Sequence, residues 1–469
     1  MKVVILGAGQ VGASVAEGLV SEQNDITVID SDAGRLSRLQ DRLDLRTVFG
    51  NAATPSVMRD AGAEDADMLI AVTQSDQTNL VACKLAHTVF NVPTRIARLR
   101  SRDFLEDASL LSPDNFSVDY ALCPEQVITD YIRRLIEFPE ALQVLGFANG
   151  RVTMVAVRAV EGGMLVGQPI KNMRLHLPSE TDARIAAIFR RDQPVVPEGN
   201  TIVEAGDEVF ILAAAEHIRP VLAQLRRMMK PVERIMVAGG GNIGLRVARA
   251  LEKRYQVKLI EVKRERAELI SNELHKTLVL LGDATDEELL EQENIGEMDL
   301  FLAVTNDDED NIMAGSLAKR LGCQRVVALI NRRAYAEMIE GGPIDISPAQ
   351  VSIGTLLAYV RQGDVAEVHS LRRGAAEALE LIAHGDAKTS KIVGRRIDQV
   401  EWPEGVTIGA LVRNFDKSVV VGQSDDWTAI TSNGDVVIPH HDTVIEQDDH
   451  VIVFCTNKKL VKKVEKLFQ

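Results

Sequence analysis

Two short runs carry the residue types that could do chemistry. Val3-Val4-Ile5-Leu6 leads into Gly7-Ala8-Gly9-Gln10-Val11-Gly12, and Ile235-Met236-Val237-Ala238 leads into Gly239-Gly240-Gly241-Asn242-Ile243-Gly244. Each is a G-x-G-x-x-G loop between an apolar run that reads as a buried strand and an i, i+4, i+8 apolar series that reads as one helix face. The helix faces are Val11, Val15, Leu19 and Ile243, Val247, Leu251. In such a loop the first glycine permits the turn, the second lets backbone approach a pyrophosphate, and the third lets helix and strand pack closely. The unpaired N–H groups at the helix start then face the phosphates. A second apolar run follows each loop and ends in a carboxylate, Asp30 or Glu261, placed 18 (30 − 12) and 17 (261 − 244) residues after the last glycine. That is close to the spacing of an acid that accepts from a ribose 2′-OH. A carboxylate there opposes a 2′-phosphate, which favours NAD(H) over its phosphorylated relative, although Lys263 and Arg264 weaken that preference in the second copy.

Ligands of open α/β sheets sit outside the carboxyl ends of the strands. The run 68–72 delivers Thr73 and Gln74 to that edge, and 301–304 delivers Thr305 and Asn306. Arg98 ends the run 94–97, where the second copy has Leu329. Asp307-Asp308-Glu309-Asp310 reads as the charged first turn of a helix in preference to a metal site. A dehydrogenase would also need an acid or base for the proton that accompanies hydride transfer. None of the five tyrosines has a lysine four residues on, and the His440-His441-Asp442 cluster falls in a predicted turn. H-E-x-x-H, G-x-S-x-G and P-loop sequences do not occur. The expectation is a nucleotide-binding protein and not an enzyme. An NAD-dependent oxidoreductase is the competing class, and a cytosolic nucleotide sensor acting on a soluble partner is a third reading.

The two loops belong to a longer repeat. Gly7, Gly9 and Gly12 become Gly239, Gly241 and Gly244 at a shift of 232, Gly50 and Ala52 become Gly282 and Ala284, and 65–79 matches 297–311 at the same shift. A weaker repeat relates 184–212 to 407–414 and 437–454, with Pro197, Glu204 and Asp207 opposite Pro439, Glu446 and Asp449. The predicted architecture is therefore α/β, with two Rossmann-like doubly wound parallel-sheet domains, each followed by a small β-rich α+β lobe. The expected divisions are 1–138, 139–230, 231–363 and 364–469. Each small lobe should close with a helix, over 218–228 in the first and at the C-terminus in the second. In the latter Lys458, Lys459, Lys462, Lys463 and Lys466 face away from Leu460, Val461, Val464 and Leu467. Residues 422–434 have the composition of an exposed hairpin.

Composition agrees with this picture. The 469 residues are 46% hydrophobic but only 4% aromatic, leaving aliphatic residues to build the cores, as parallel strands covered by helices do. A formal charge of −15 makes a nucleic-acid partner a poor expectation. The longest uncharged stretch, 346–360, falls short of the roughly 20 apolar residues a spanning helix needs, and no secretory leader is evident, so a cytoplasmic location is expected. Cys83, Cys123, Cys323 and Cys455 form no C-x-x-C pair, as suits reduced, mostly buried thiols.

Taken together, ILGAGQVG, NDITVID, AGAEDADMLIAVT, TIVEAGDEVF, RIMVAGGGNIG, VKLIE, AVTNDDEDNIM and the ending KKVEKLFQ resemble the tandem-RCK family of peripheral regulatory subunits of bacterial Trk potassium uptake systems. The resemblance covers essentially the whole chain. It implies cytosolic subunits that assemble into a ring beneath a potassium-translocating membrane subunit and bind NAD(H), with ATP or ADP as further ligands at the same loops. Carried onto this sequence, the cofactor contacts would be Gly7, Ala8, Gly9, Gln10, Val11, Gly12, Asp30, Thr73, Gln74 and Arg98. In the second copy they would be Gly239, Gly240, Gly241, Asn242, Ile243, Gly244 and Glu261. It implies small lobes of the RCK C-terminal type.

Overall fold

The computed structural model describes residues 1–20, 24–332, 335, 344–361, 365–371, 375–415 and 434–468. Of the expected hairpin only Gly434 is among them, and the expected division at Gly363 lies outside the described residues, as do 341–343.

The first sheet is parallel: β1 (Lys2–Leu6), β2 (Asp25–Asp30), β3 (Arg46–Phe49), β4 (Met68–Ala71), β5 (Thr94–Arg98) and β6 (Tyr120–Leu122), in spatial order 3-2-1-4-5-6. The antiparallel sheet that follows holds β7 (Ala141–Phe147), β8 (Val152–Arg158), β9 (Ala183–Arg190), β10 (Gln193–Val195) and β11 (Glu208–Ala214), in order 10-9-11-8-7. The second parallel sheet repeats the first. It runs β12 (Arg234–Ala238), β13 (Gln256–Glu261), β14 (Leu278–Leu281), β15 (Leu300–Ala303), β16 (Arg325–Leu329) and β17 (Ile344–Ile346), in order 14-13-12-15-16-17. Last come β18 (Val365–Leu371), β19 (Ala376–Ile382), β20 (Val406–Arg413), β21 (Asp435–Val437) and β22 (His450–Cys455), antiparallel in order 18-19-22-20-21. The parallel strands are aliphatic runs because both faces are covered: Val3, Val4, Ile5 and Leu6 are all buried. In each parallel sheet the strand order reverses between β1 and β4, or β12 and β15, and the glycine loop leaves the sheet at that reversal.

The two halves are not beads on a string. Helix Pro124–Glu137 leaves β6 and buries Ile128, Ile132 and Leu135 in one core with Ile235, Val247 and Leu251 of the second parallel lobe. Helix Pro348–Val360 does the converse, setting Leu356, Leu357 and Val360 against Val3, Val15 and Leu19 of the first. The antiparallel sheets meet face to face, with Phe147, Met154 and Phe210 against Ala378, Ile452 and Phe454. The rings of Phe210 and Phe454 are 5.5 Å apart. A fully buried side chain of this size contributes about 1.5–3 kcal/mol, so these shared cores bind the two modules into one unit. Arg325 adds a polar clasp. Its guanidinium donates to the carbonyls of Leu135, Phe138 and Ala141 at 3.0, 3.2 and 2.9 Å. Burial pushes its pKa down to about 10, an effect the charge of Glu140 partly offsets.

The weaker repeat has a physical cause. Asp207, almost fully buried, accepts two hydrogen bonds from Arg190, both 2.9 Å, and one from the Glu204 N–H at 2.8 Å. Asp449 takes the same place beside Arg413 and the Glu446 N–H. Asparagine keeps one acceptor oxygen but loses the charge and sets an NH2 group in place of the other oxygen, so at least one Arg190 or turn N–H faces a donor. Asp207→Asn should therefore lower stability by about 2–3 kcal/mol, below the largest values for buried pairs because Arg190 is partly exposed. Urea unfolding checks it through a lower midpoint at unchanged slope.

One expected helix is shorter than its sequence pattern. The predicted helix over 218–228 ends at Leu222, because the carbonyls of Gln224 and Leu225 are taken by Leu165 N–H and Val160 N–H. The C-terminal helix Val461–Phe468 buries Val461, Val464 and Phe468 and keeps its lysines outward. All four cysteines are buried and unpaired by disulfides. Burial pushes the thiols of Cys83 and Cys455 up to about 12 and that of Cys323 to about 11. Among the described residues no helix is long and apolar enough to cross a membrane.

Candidate nucleotide site

Each glycine of the first loop has a separate duty. Gly7 has φ +105°, a left-handed backbone that side chains disfavour, and its N–H reaches the Ile29 carbonyl at 2.7 Å. Gly12 lies inside helix Gln10–Val20 directly over the turn, where an added Cβ would stand 1.8 Å from the Gly7 oxygen. At Gly9 an added Cβ would meet nothing within 4 Å, since that face of the loop is open. The second loop repeats the pattern: Gly239 has φ +104°, a Cβ on Gly244 would stand 1.8 Å from the Gly239 oxygen, and Gly241 is open.

The acids at the ends of β2 and β13 hold these loops from behind. Asp30 accepts from the Ala8 N–H at 2.6 Å and the Asp32 N–H at 2.8 Å, one on each oxygen. Glu261 accepts likewise from the Gly240 and Lys263 N–H groups, both at 2.9 Å. A carboxylate offers about four acceptor positions, so each acid keeps capacity for a ribose hydroxyl after bracing its loop. The β4 and β15 ends are fixed by two asparagines that the sequence reading did not single out. Asn79 accepts from the Thr73 N–H and hydroxyl at 3.0 and 2.7 Å and donates to the Arg98 carbonyl at 2.8 Å. Asn311 does the same for Thr305 and Leu329. The signal was present: both fall at the same place under the shift of 232, each closing the matched runs 65–79 and 297–311.

The carboxyl edges of the two parallel sheets face one another across a single cavity of about 810 Å³. From the first copy Gly7, Gly9, Gln10, Val11, Asp30, Thr73, Gln74 and Arg98 line it. Ala8 and Gly12 do not: Ala8 is buried with its N–H on Asp30, and Gly12 packs on the turn. From the second copy Gly241, Asn242 and Ile243 line the same space, together with Thr305 and Asn306, while Gly239, Gly240, Gly244 and Glu261 stand behind it. Arg266, whose Nε donates to the Gly240 carbonyl at 2.8 Å, faces the cavity where the first copy presents its acid. Arg98, mostly buried, pairs with Glu125 at 3.1 Å. Burial lowers its pKa, and the nearby charge of Glu125 opposes that shift. The acidic run 307–310 serves the helix it begins: Asp307 accepts from the Asp310 N–H, and Asp308 from the N–H groups of Asn331 and Arg332. His440 sits 2.8 Å from Arg174 of the first small lobe.

Comparison with known proteins assigns this arrangement. The model of the TrkA-N domain matches residues 3–120 and again 235–348, and that of the TrkA-C domain matches 154–226. A Trk system potassium uptake protein TrkA of Vibrio alginolyticus is 52% identical, covering 100% of this chain and 99% of its own. The chain belongs to the TrkA family. Its relative in Halomonas elongata is 51% identical over the same shares, and that in Haemophilus influenzae 47%. Among solved structures, the GsuK RCK domain superposes with a TM-score of 0.59 at 17% identity, covering 100% of this chain and 94% of that one. The GsuK channel bound to NAD gives 0.59 at 17%, covering 100% and 78%. Potassium transport and two RCK-type modules, each a Rossmann-like lobe with a small antiparallel lobe, are thus features of this TrkA-family chain.

Proposed function

We propose that this TrkA-family chain is a cytosolic NAD(H)-binding regulatory subunit that assembles as a ring on a Trk-type potassium-translocating membrane subunit and controls its transport. ATP or ADP would be taken at the same loops. The observation that carries the reading is the facing of two glycine loops across one cavity between two modules that share their cores. The residues present fit a dinucleotide: an open Gly9 face, helix starts at Gln10 and Asn242 aimed into the cavity, and a braced acid behind each loop. Gly9, Gln10, Val11, Thr73, Gln74 and Arg98 would hold it in the first copy, and Gly241, Asn242 and Ile243 in the second. Asp30, which lines the cavity, would accept from the ribose, while Glu261 would act from behind by holding the second loop in shape.

A ligand lodged between the modules shifts their arrangement only as far as it binds two arrangements with different affinity. By linkage, the membrane subunit must then change nucleotide affinity by the same factor. Titration calorimetry with NADH, NAD, ATP and ADP tests the sites. Asp30→Ala and Glu261→Ala should each weaken NADH by about tenfold, the equivalent of one charge-assisted hydrogen bond. Unaltered affinity in both variants would remove the site assignment. Equal nucleotide affinities with and without the membrane subunit would remove the regulatory reading.

A further inference from the structure

The helix that begins at the second glycine loop sends one side chain out of its own module. Arg246 lies four residues past Asn242 in helix Asn242–Leu251, about 6 Å along the axis. Its Nη1 donates to Oε1 of Gln126 at 3.0 Å and its Nη2 to the Arg100 carbonyl at 3.3 Å. Both acceptors belong to the rim of the first site. Arg100 lines the cavity two residues past the end of β5, with its N–H held by Asp76 at 2.9 Å. Gln126 follows Glu125 in helix Pro124–Glu137, and its Nε2 donates to Asp130 at 3.0 Å, which turns Oε1 towards Arg246. Glu125 closes the space between these two segments by pairing with Arg98 at 3.1 Å and Arg100 at 3.4 Å. Arg246 therefore grips both sides of the gap that Glu125 spans.

The repeat holds no matching strut in the other direction. Under the shift of 232 Arg246 falls on Ser14, whose hydroxymethyl group has no such reach. Helix Gln10–Val20 meets the second module through apolar side chains instead, with Val15 and Leu19 in one core with Leu356 and Val360. Helix Asn242–Leu251 is anchored as a body, since Val247, Ala248 and Leu251 are buried. A ligand at the second loop would take the N–H groups of its first turn. Whatever displaces or stiffens that end is carried to Arg246 one turn later, and so to Arg100 and Gln126.

We propose that Arg246 is a positioning residue that relays occupancy of the second glycine loop to the first site. It does so by setting the spacing between the Arg100 segment and the helix start that carries Glu125. The inference rests on the nucleotide reading of both loops and adds a link between them. A ligand on the second loop fixes the strut, so the rim of the first site is already ordered when its own ligand arrives, and the coupling is positive. By linkage the first ligand must strengthen binding of the second by the same factor.

The test is calorimetric titration of the full chain with NADH. Gly9→Ala and Gly241→Ala each silence one loop at little folding cost, because an added Cβ meets nothing within 4 Å at either position. Each variant then gives the affinity of the other loop alone. The coupling factor is the wild-type constant for binding two NADH divided by the product of those two single-loop constants. It should be at least about fivefold, and should fall below about twofold when all three proteins carry Arg246→Gln. Arg246→Lys, with one ammonium for two acceptors, should fall between. A merely structural Arg246 would change the single-loop affinities and leave the factor as it is, which overturns the proposal. So does a wild-type factor near one, or a wild type that takes a single NADH. Should Arg246→Gln fail to fold, Gln126→Ala, which removes one acceptor, should lower the same factor, and an unchanged factor there overturns the proposal. Wild-type protein that binds no NADH removes the nucleotide reading itself.

Discussion

Gly12→Ala is expected to unfold or grossly distort the first parallel lobe, whereas Gly9→Ala, three positions earlier, should leave stability almost untouched. The contrast follows from where a single methyl group would go. At Gly12 it would stand 1.8 Å from the Gly7 oxygen and 2.9 Å from its carbon. The obstacle is backbone, which cannot swing aside as a side chain does. Relief requires lifting helix Gln10–Val20 from β1 or reshaping a turn already fixed by the positive φ of Gly7. Either move breaks the packing of Val15, Ala16 and Leu19, which are buried. Overpacking a core typically costs about 1–3 kcal/mol, and a clash with fixed backbone belongs beyond that range, at about 4 kcal/mol or more. Gly9 has open space around the same added atom, so its folding cost should stay within about 0.5 kcal/mol. That space is where a pyrophosphate would approach, so Gly9→Ala should lose NADH affinity with its unfolding midpoint retained. Thermal unfolding and NADH titration on the same two variants read both effects. A stable, cooperative Gly12→Ala protein would contradict the close-crossing account, and full NADH affinity in Gly9→Ala would contradict the placement of the ligand over the first loop.

The glycine loops were legible in the sequence because their constraints are local: a left-handed turn and a close helix-strand crossing can be met only by glycine, and the chain meets them twice at a fixed spacing. The parallel sheets were legible for a related reason, since strands buried on both faces must be aliphatic throughout. The crossing of helices Pro124–Glu137 and Pro348–Val360 onto each other's parallel lobes was not legible. An apolar face states that it will be buried and says nothing of the partner that buries it. The same limit explains Arg325, whose three carbonyl partners lie nearly two hundred residues earlier. At the candidate site, Asp30 and Glu261 were found by spacing, but their role in bracing the loops through the Ala8 and Gly240 N–H groups is a matter of three-dimensional reach. Arg100 escaped notice because it lies two residues past the strand end. Only the Asp76 clamp and the shared Glu125 bring it to the cavity.

Asn79→Ala is the second substitution with a large expected effect, and it links stability to the site. The Asn79 side chain is fully buried and makes four hydrogen bonds: it accepts from the Thr73 amide and hydroxyl and donates to the Thr73 and Arg98 carbonyls. These bonds join the ends of β4 and β5 at the edge where Thr73, Gln74 and Arg98 face the cavity. Alanine leaves an amide and a carbonyl without their partner in a space too tight for easy repair, at about 1–3 kcal/mol for each orphan, giving roughly 3 kcal/mol in all after partial relaxation. Asn79→Asp should be no rescue. It keeps the acceptor for Thr73 but turns a carboxylate oxygen towards two carbonyls, so the donor half of the clamp becomes repulsive. Asn51, exposed and lining the same cavity, serves as control: it accepts from the Ala53 N–H, and Asn51→Ala should cost no more than about 0.5 kcal/mol. Urea unfolding should therefore separate the two asparagines clearly, with Asn79→Ala and Asn79→Asp both lowering the midpoint. Because Asn311 repeats every bond on Thr305 and Leu329, Asn311→Ala should show the same loss. An Asn79→Ala protein with a midpoint equal to wild type would mean that the strand ends hold themselves in place. The shared position of Asn79 and Asn311 under the repeat would then need a cause other than this clamp.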